Sequence, residues 1–127
     1  MKKIVFLLTF LALALFAKEN STPIVRMADI EIDCQYIEEY KTFLKESSEA
    51  SLKLESGVWI LYAMWEQENP CVFKIVEAYA DEQSYQKHLQ TPHFQKYKQG
   101  TLKMVKSLKL INMDALNPKM SLNKDFE

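Results

Sequence analysis

The chain contains two histidines, His88 and His93, which lie on either side of a Thr91-Pro92 pair. Thr91 is typical of a helix N-cap and Pro92 of the first helical position, so His93 is expected in the first turn of a helix. A helix N-terminus disfavours the imidazolium, which would keep His93 neutral and able to accept a proton. Each histidine is therefore a candidate base, and the alternative for each is a purely structural role.

No metal site is predicted around the two histidines. A catalytic zinc takes three protein ligands, and no cluster of carboxylates lies near His88 and His93 in the sequence. Cys34 and Cys71 are not spaced as a redox CxxC pair, so a thiol mechanism is not expected.

Glu77 is a carboxylate in an otherwise largely apolar segment, residues 72–80. In a strand it would share a face with Tyr79, because alternate side chains point to the same side. A carboxyl group buried there would have a raised pKa or a paired partner. The alternative is an ion pair, either across a dimer or to a lysine of a helix.

The spacing of apolar side chains predicts the elements that position these residues. Residues 24–32 are rich in β-branched side chains and end in alternation, which predicts a half-buried strand. From 37 to about 55 the apolar positions recur at helical spacing. This stripe contains Ile37, Tyr40, Leu44, Ser51 and Leu54. Gly57 then suits the turn that ends a helix.

Residues 58–66 and 72–80 predict an antiparallel hairpin with a loop of about five residues. The first of these strands is apolar on both faces: Val58, Ile60, Tyr62 and Met64 on one, and Trp59, Leu61, Ala63 and Trp65 on the other. Helices can cover only one face of the sheet, so the second face needs another cover. A partner subunit is the simplest cover, and a homodimer is therefore predicted.

Two helices and a strand are expected in the rest of the chain. Asp81 fits the N-cap of a short helix over 82–89, and a second helix runs from Thr91 through Phe94, Tyr97, Thr101, Met104 and Val105. A strand follows over 108–113, and the tail, residues 114–127, is polar. The order strand, helix, strand, strand, helix, strand is that of an α+β, ferredoxin-like fold, an antiparallel sheet with helices on one face.

Right-handed crossovers in this fold place the first and third strands side by side. Cys34 follows the first strand and Cys71 precedes the third, so the two cysteines are expected to lie close together. In an oxidising compartment an even number of cysteines permits a disulfide, and we predict one between Cys34 and Cys71. The alternative is two separate buried thiols, since sequence alone does not fix a Cα separation.

Residues 1–17 have the pattern of a secretory signal: Lys2 and Lys3, an apolar run, and a small residue at Ala17. The apolar run is shorter than a membrane span of about 20 residues, although an uncleaved anchor remains the alternative. The pattern predicts a periplasmic or secreted protein with no stable membrane anchor after cleavage. The net charge of −1 and the presence of only two glycines argue against a nucleic-acid partner and a nucleotide site.

The segment Glu77–Tyr97, EAYADEQSYQKHLQTPHFQKY, resembles the signature of the antibiotic biosynthesis monooxygenase family. Its HLQTPHFQKY portion is similar to quinol monooxygenases of that family, and EAYxDE…H…TPH is also similar to its phosphorylated-autoinducer isomerases. The resemblance covers about residues 24–113, in the same order of elements. It implies a homodimer whose ferredoxin-like sheets pack face to face, a dimeric α+β barrel.

The resemblance to the oxygenases implies a reaction without metal, flavin or haem, in which a deprotonated quinol or phenol reduces dioxygen directly. His88 or His93 would be the base, and Tyr79 or Glu77 would orient the substrate in a dry pocket. The aromatic residues that could line this pocket, or be plain core, are Trp59, Tyr62, Trp65, Phe73 and Phe94.

Two other functions are compatible with the same residues. One is isomerisation of a small hydroxy-ketone by proton transfer, although no dense Lys/Arg cluster for a phosphate is visible. The other is a non-catalytic protein that binds an apolar ligand. Haem cleavage is not expected, because the haem-degrading relatives have a Trp at the position of Tyr79 and a ligating His at about Lys98.

Overall fold

The computed structural model describes residues 22–117. The predicted signal segment and residues 118–127 of the predicted tail lie outside this range. The helices and strands are β1 Ile24–Ile32, α1 Ile37–Leu54, β2 Val58–Trp65, β3 Val72–Tyr79, α2 Glu82–Leu89, α3 Pro92–Gly100 and β4 Val105–Met113. None of these helices combines the length and the apolar character that a bilayer-spanning helix needs.

The four strands form one antiparallel sheet in the order β2-β3-β1-β4. The first and third strands are neighbours, with Ile30 opposite Phe73 and Ala28 opposite Ile75. Cross-strand partners share a face, so these four side chains point together toward the helices. The predicted α+β, ferredoxin-like fold is confirmed.

The core lies between this face of the sheet and α1. Its buried members include Ala28, Ile30, Ile32, Tyr40, Leu44, Phe73, Ile75 and Met104. The buried face of α1 consists of Tyr40, Leu44, Ser47 and Ser51. The assignment of Leu54 to this face was wrong, since Leu54 is 68% exposed.

A bulge interrupts β2 near its start and changes which side chains share a face. Val58 lies opposite Tyr79 and Ile60 opposite Ala78, which leaves Trp59 as the extra residue. Val58 is buried on the helix side, so grouping it with Ile60 and Tyr62 was wrong. From Ile60 onward the predicted alternation holds, because the register is regular there.

The predicted helix caps are confirmed. The Asp81 carboxylate accepts a hydrogen bond from the Ser84 amide at 2.7 Å, and the Thr91 hydroxyl accepts one from the Phe94 amide at 3.3 Å. However, α3 ends at Gly100, earlier than predicted, and Val105 begins β4. The helix passes close to α1 at its end, since a Cβ added to Gly100 would lie 2.4 Å from the Phe43 ring.

The predicted disulfide is confirmed. Cys34 and Cys71 are bonded, with their Cα atoms 5.4 Å apart. The Ile32 amide donates to the Cys71 carbonyl at 2.9 Å, so the end of β1 and the start of β3 are joined by a backbone hydrogen bond as well.

The second face of the sheet carries the apolar residues that point away from the helices. We call it the open face; it contains Val25, Met27, Ile60, Tyr62, Met64, Val76, Ile111 and Met113. Tyr62 is 65% exposed, and Ile60 and Met113 are also exposed. At one end of this face Lys74 forms ion pairs with Asp29 and Glu66.

Candidate active site

A cavity of about 350 Å³ lies between the sheet and the helices. Its apolar lining includes Ile30, Leu44, Ile75, Leu89, Phe94 and Leu108, and its polar lining includes Ser47, Glu77, Tyr79, His88 and Tyr97. Leu102 and Leu108 are more than half exposed, so they mark the open side of the cavity. The volume and the mainly apolar lining are typical of a small-molecule site.

His88 is buried in the last turn of α2, where the ring packs between two aromatic side chains. The ring centroid lies 5.3 Å from that of Tyr79 and 4.8 Å from that of Phe94. The Nδ1 atom lies 3.1 Å from Oε2 of Glu55. No enclosed side-chain nitrogen or oxygen of the described residues lacks a hydrogen-bond partner, and Nε2 of His88 has none, so Nε2 is open to the cavity that His88 lines.

Glu55 is a residue of this candidate site that the sequence did not single out. It is the C-cap of α1, and its Oε2 lies 2.7 Å from Nε2 of His93 as well as close to His88. The premise that no carboxylate accompanies the histidines was therefore wrong. Thirty-three residues separate Glu55 from His88, so local spacing gave no sign of the contact. Helical periodicity gave no signal either, because Leu54 and Glu55 lie equally far from the centre of the buried face of α1.

The protonation of this cluster follows from the charge of Glu55. Burial has the largest single effect and raises the pKa of Glu55, but hydrogen bonds from His93, His88 and Ser51 together hold it below its ordinary value. Glu55 is therefore ionised at neutral pH and accepts from both rings. His88 donates through Nδ1 and His93 through Nε2, which leaves Nε2 of His88 unprotonated in the neutral ring.

His93 is placed beside the cavity rather than in its wall. Its Nε2 is used by Glu55, and its side chain is 17% exposed. The lining of the cavity includes His88 but not His93. Both candidate bases therefore contact the carboxylate of Glu55, but only His88 lines the cavity.

Glu77 and Tyr79 lie on one face of β3 and both line the cavity. The Tyr79 hydroxyl donates to Oε2 of Glu77 at 3.3 Å. Burial raises the pKa of Glu77, and the Tyr79 hydrogen bond and the nearby charge of Arg26 lower it by less. The charge that acts on this carboxyl group is thus that of Arg26, its cross-strand partner on β1, rather than that of a helix lysine.

Tyr97 adds a hydroxyl that sequence reasoning did not single out. Its oxygen lies 2.7 Å from that of Tyr40, which is fully buried in the core. Burial raises the pKa of both phenols, so both remain protonated donors. Tyr97 lines the cavity, and when Tyr40 donates to its oxygen, the Tyr97 O–H is available to donate to a ligand.

The five aromatic residues proposed for the pocket are not brought together. Phe94 lines the cavity beside His88. Tyr62, Trp65 and Phe73 line a second groove, of about 480 Å³, between α1 and the edge strand β2. Trp59, the extra residue of the bulge, lines neither and is 55% exposed.

The family model for antibiotic biosynthesis monooxygenases matches residues 23–100. A crystal structure from Bacteroides thetaiotaomicron VPI-5482, named as a candidate antibiotic biosynthesis monooxygenase, is 47% identical. The alignment covers 80% of this chain and 97% of that one, with a TM-score of 0.79.

A second structure with the same type of name, from Nitrosomonas europaea, has the same fold at 18% identity and a TM-score of 0.71. Its alignment covers 77% of this chain and 94% of the other. No protein of curated function is significantly similar to this chain. The matched residues include β1 to α3, and with them Glu55, His88 and most of the residues that line the cavity. The chain belongs to the antibiotic biosynthesis monooxygenase family.

Proposed function

We propose that the protein is a monooxygenase of quinol-like or polyphenolic small molecules that needs no metal, flavin or haem, with His88 as its base. Family membership supports a monooxygenase in general terms. The observation that carries the finer proposal is the Glu55–His88 pair, in which a carboxylate only 12% exposed lies 3.1 Å from Nδ1 of a histidine that lines an apolar cavity.

The reaction begins with proton transfer from a substrate hydroxyl to Nε2 of His88. Glu55 stabilises the resulting imidazolium, since the carboxylate accepts from Nδ1 at 3.1 Å. The electron-rich substrate anion then transfers electrons to dioxygen. One oxygen atom enters the ring and the other leaves as water, and the quinol is oxidised to a hydroxyquinone.

The other polar groups of the cavity are suited to binding the substrate anion. Tyr97 offers a phenolic O–H whose oxygen is held 2.7 Å from Tyr40. Glu77 and Tyr79 form a hydrogen-bonded pair that can orient a second hydroxyl of the substrate. Donors fixed in advance in a water-poor cavity stabilise developing negative charge more than water does.

Oxygen uptake with a panel of quinols tests this proposal. We expect His88→Gln to lower kcat by about 10²–10⁴-fold, the usual contribution of a general base. We expect a smaller loss for His93→Gln, because His93 contacts Glu55 but not the cavity. Glu46→Gln, at an exposed carboxylate of α1, is the control. Turnover at the wild-type rate in His88→Gln would contradict the assignment of His88 as the base.

The same base would also serve proton transfer in a hydroxy-ketone isomerase. Lys98 lines the cavity and could contact an anionic group of such a substrate. Product analysis under argon separates the two reactions, because only the oxygenase requires dioxygen. Conversion that proceeds equally without oxygen would favour the isomerase.

We also propose that the protein is an exported homodimer. The open face supports the dimer, since it exposes Tyr62, Ile60 and Met113 together on one side of the sheet. The Cys34–Cys71 disulfide supports an oxidising compartment, the periplasm or the exterior. Mass spectrometry of the processed chain would show loss of residues 1–17, and an intact N-terminus would contradict export by a cleaved signal.

A further inference from the structure

The ends of three helices bring together one carboxylate and two imidazoles. Oxygen and nitrogen atoms of Glu55, His88 and His93 all lie within 4.8 Å of one another. Their side chains are 12%, 5% and 17% exposed, so water competes weakly for them. Two histidines and one glutamate also form the ligand set of some catalytic zinc sites.

The spacing of these atoms is close to that of a coordination sphere. Ligands of a tetrahedral zinc at about 2.0–2.1 Å lie about 3.3 Å from one another. The two contacts of Glu55 measure 2.7 Å to His93 and 3.1 Å to His88. To hold an ion, these two contacts would open to about 3.3 Å, and the two imidazole nitrogens, which lie within 4.8 Å of each other, would take a similar spacing.

Glu55 and two helix C-termini favour a cation at the cluster, whereas the N-terminus of α3, where His93 lies, opposes it. Glu55 is ionised and caps the C-terminus of the 18-residue helix α1, where unpaired carbonyls carry partial negative charge. His88 lies in the last turn of α2, at a second helix C-terminus. Imidazole nitrogens suit zinc, copper, nickel and iron, whereas magnesium and calcium prefer oxygen ligands.

We propose that Glu55, His88 and His93 form a binding site for a divalent transition-metal ion such as zinc, and that the bound ion prevents His88 from acting as a base. The ion would bind Nδ1 of His88, and this atom must then carry no proton. In a neutral ring the proton moves to Nε2, the nitrogen that meets the cavity. Nε2 then donates a hydrogen bond and no longer accepts a proton.

The ion would act on the reaction through His88 and would not contact the substrate. Glu55 and His93 do not line the cavity, so the ion would lie behind His88, away from the cavity. The site is thus a regulatory one. The inhibitory part rests on the proposed function, whereas the metal site itself does not.

Calorimetric titration of zinc into untagged protein, first treated with a chelator, tests the site without any substrate. We expect saturable binding of one ion per chain, and binding weakened by at least about 10-fold in His93→Gln and in Glu55→Gln. Glu49→Gln, at an exposed carboxylate of α1, should bind as the wild type does. Absence of saturable binding, or full affinity in His93→Gln, would overturn the proposal.

Cobalt provides a readout that does not depend on the stability of a variant. We expect the visible absorption of a four- or five-coordinate cobalt ion with wild-type protein, without thiolate-to-metal bands, because both cysteines are in the disulfide. Displacement of cobalt by zinc should remove the absorption. A spectrum of hexa-aqua cobalt alone would contradict the site.

Nitrogen NMR of the two histidine rings tests the inhibition separately from turnover. We expect His88 to carry its proton on Nδ1 without metal and on Nε2 with zinc, and quinol turnover to fall as zinc binds. Zinc binding without this change of tautomer would overturn the inhibition. If zinc binds and moves the proton but no quinol is oxidised under any condition, the metal site stands and the proposed oxygenase function fails.

Discussion

At the scale of single residues, the chemistry depends on which nitrogen of His88 carries the proton. Glu55 decides this, since its carboxylate accepts from Nδ1 of His88 at 3.1 Å and from Nε2 of His93 at 2.7 Å. His93 therefore contacts the same carboxylate as His88 but does not line the cavity. The two histidines of one sequence motif have different positions and, in our proposal, different tasks.

Glu55→Gln tests the orienting role. An amide carries no charge, so its oxygen accepts more weakly from the two rings and does not stabilise an imidazolium. We expect kcat to fall by about 10–100-fold, the range seen when a group that orients a histidine is removed. KM should change little, because Glu55 does not line the cavity. A raised KM with unchanged kcat would show that Glu55 acts on binding instead.

Glu77 gives a pH dependence of stability whose sign follows from burial. Its pKa in the fold is raised above the ordinary value of 4.5, so the folded state retains this proton longer than the unfolded chain does. The stability contributed by the protonated group is complete below the ordinary pKa and is lost as pH rises through the raised value.

In Glu77→Gln this loss cannot occur. We therefore expect the stability of the variant, measured relative to wild type by urea unfolding, to improve between about pH 5 and pH 8. Glu49→Gln is the control at an exposed position of α1. A difference between Glu77→Gln and wild type that stays constant over this range would contradict the raised pKa.

At the scale of elements, the contact between α2 and the turn that follows α1 determines how close His88 lies to Glu55. Gly57 lies in that turn, and its carbonyl accepts from the Ala80 amide at 2.8 Å. A Cβ on Gly57 would lie 2.4 Å from Cβ of Ser84, in the first turn of α2. Glycine is needed here so that α2, which carries His88, can approach Glu55.

Gly57→Ala should therefore push α2 away from the end of α1. We expect a loss of stability of about 1–3 kcal/mol, as for other overpacked sites, together with a lower kcat. Adding Ser84→Gly to this variant should restore part of the stability and part of the kcat, because it removes the side chain that the new Cβ would contact. Ser56→Ala, at the exposed neighbouring position, is the control. Equal effects of Gly57→Ala and Ser56→Ala would contradict the close contact between Gly57 and Ser84.

Periodicity and capping residues were enough to predict the elements of the fold. The alternation of Ile30 and Ile32, the caps Asp81 and Thr91, and the hairpin predicted the order of strands and helices. The strand order then predicted the contact of Cys34 with Cys71. These features depend on neighbours in sequence or on a topology with few alternatives.

The parts that sequence did not predict depend on tertiary contacts. The bulge at Trp59 shifts the register of β2, so the faces of Val58 and Ile60 could not be assigned by alternation. The carboxylate of Glu55 reaches His88 across 33 positions, and Tyr40 reaches Tyr97 across 57. Pairing over such separations is decided by packing of the helices on the sheet, which no local pattern encodes.

At the scale of the whole molecule, the open face is expected to bind a second copy of the chain. A charge placed on its exposed Tyr62 would be buried without a partner in a dimer. We expect Tyr62→Glu to shift the molar mass from light scattering toward a monomer. Leu54→Glu, at an equally exposed residue outside this face, should leave the mass unchanged. A wild-type monomer at all concentrations would contradict the proposed assembly.

The most direct test of the proposed mechanism is the ionisation state of a bound phenol. A phenol that absorbs differently as phenolate would be added to metal-free protein under argon, and its absorption difference spectrum recorded at neutral pH. We expect the phenolate spectrum with wild-type protein and with Glu46→Gln, and the neutral phenol with His88→Gln. A phenol that binds the wild type but stays neutral, or that ionises equally in His88→Gln, would contradict the assignment of His88 as the base.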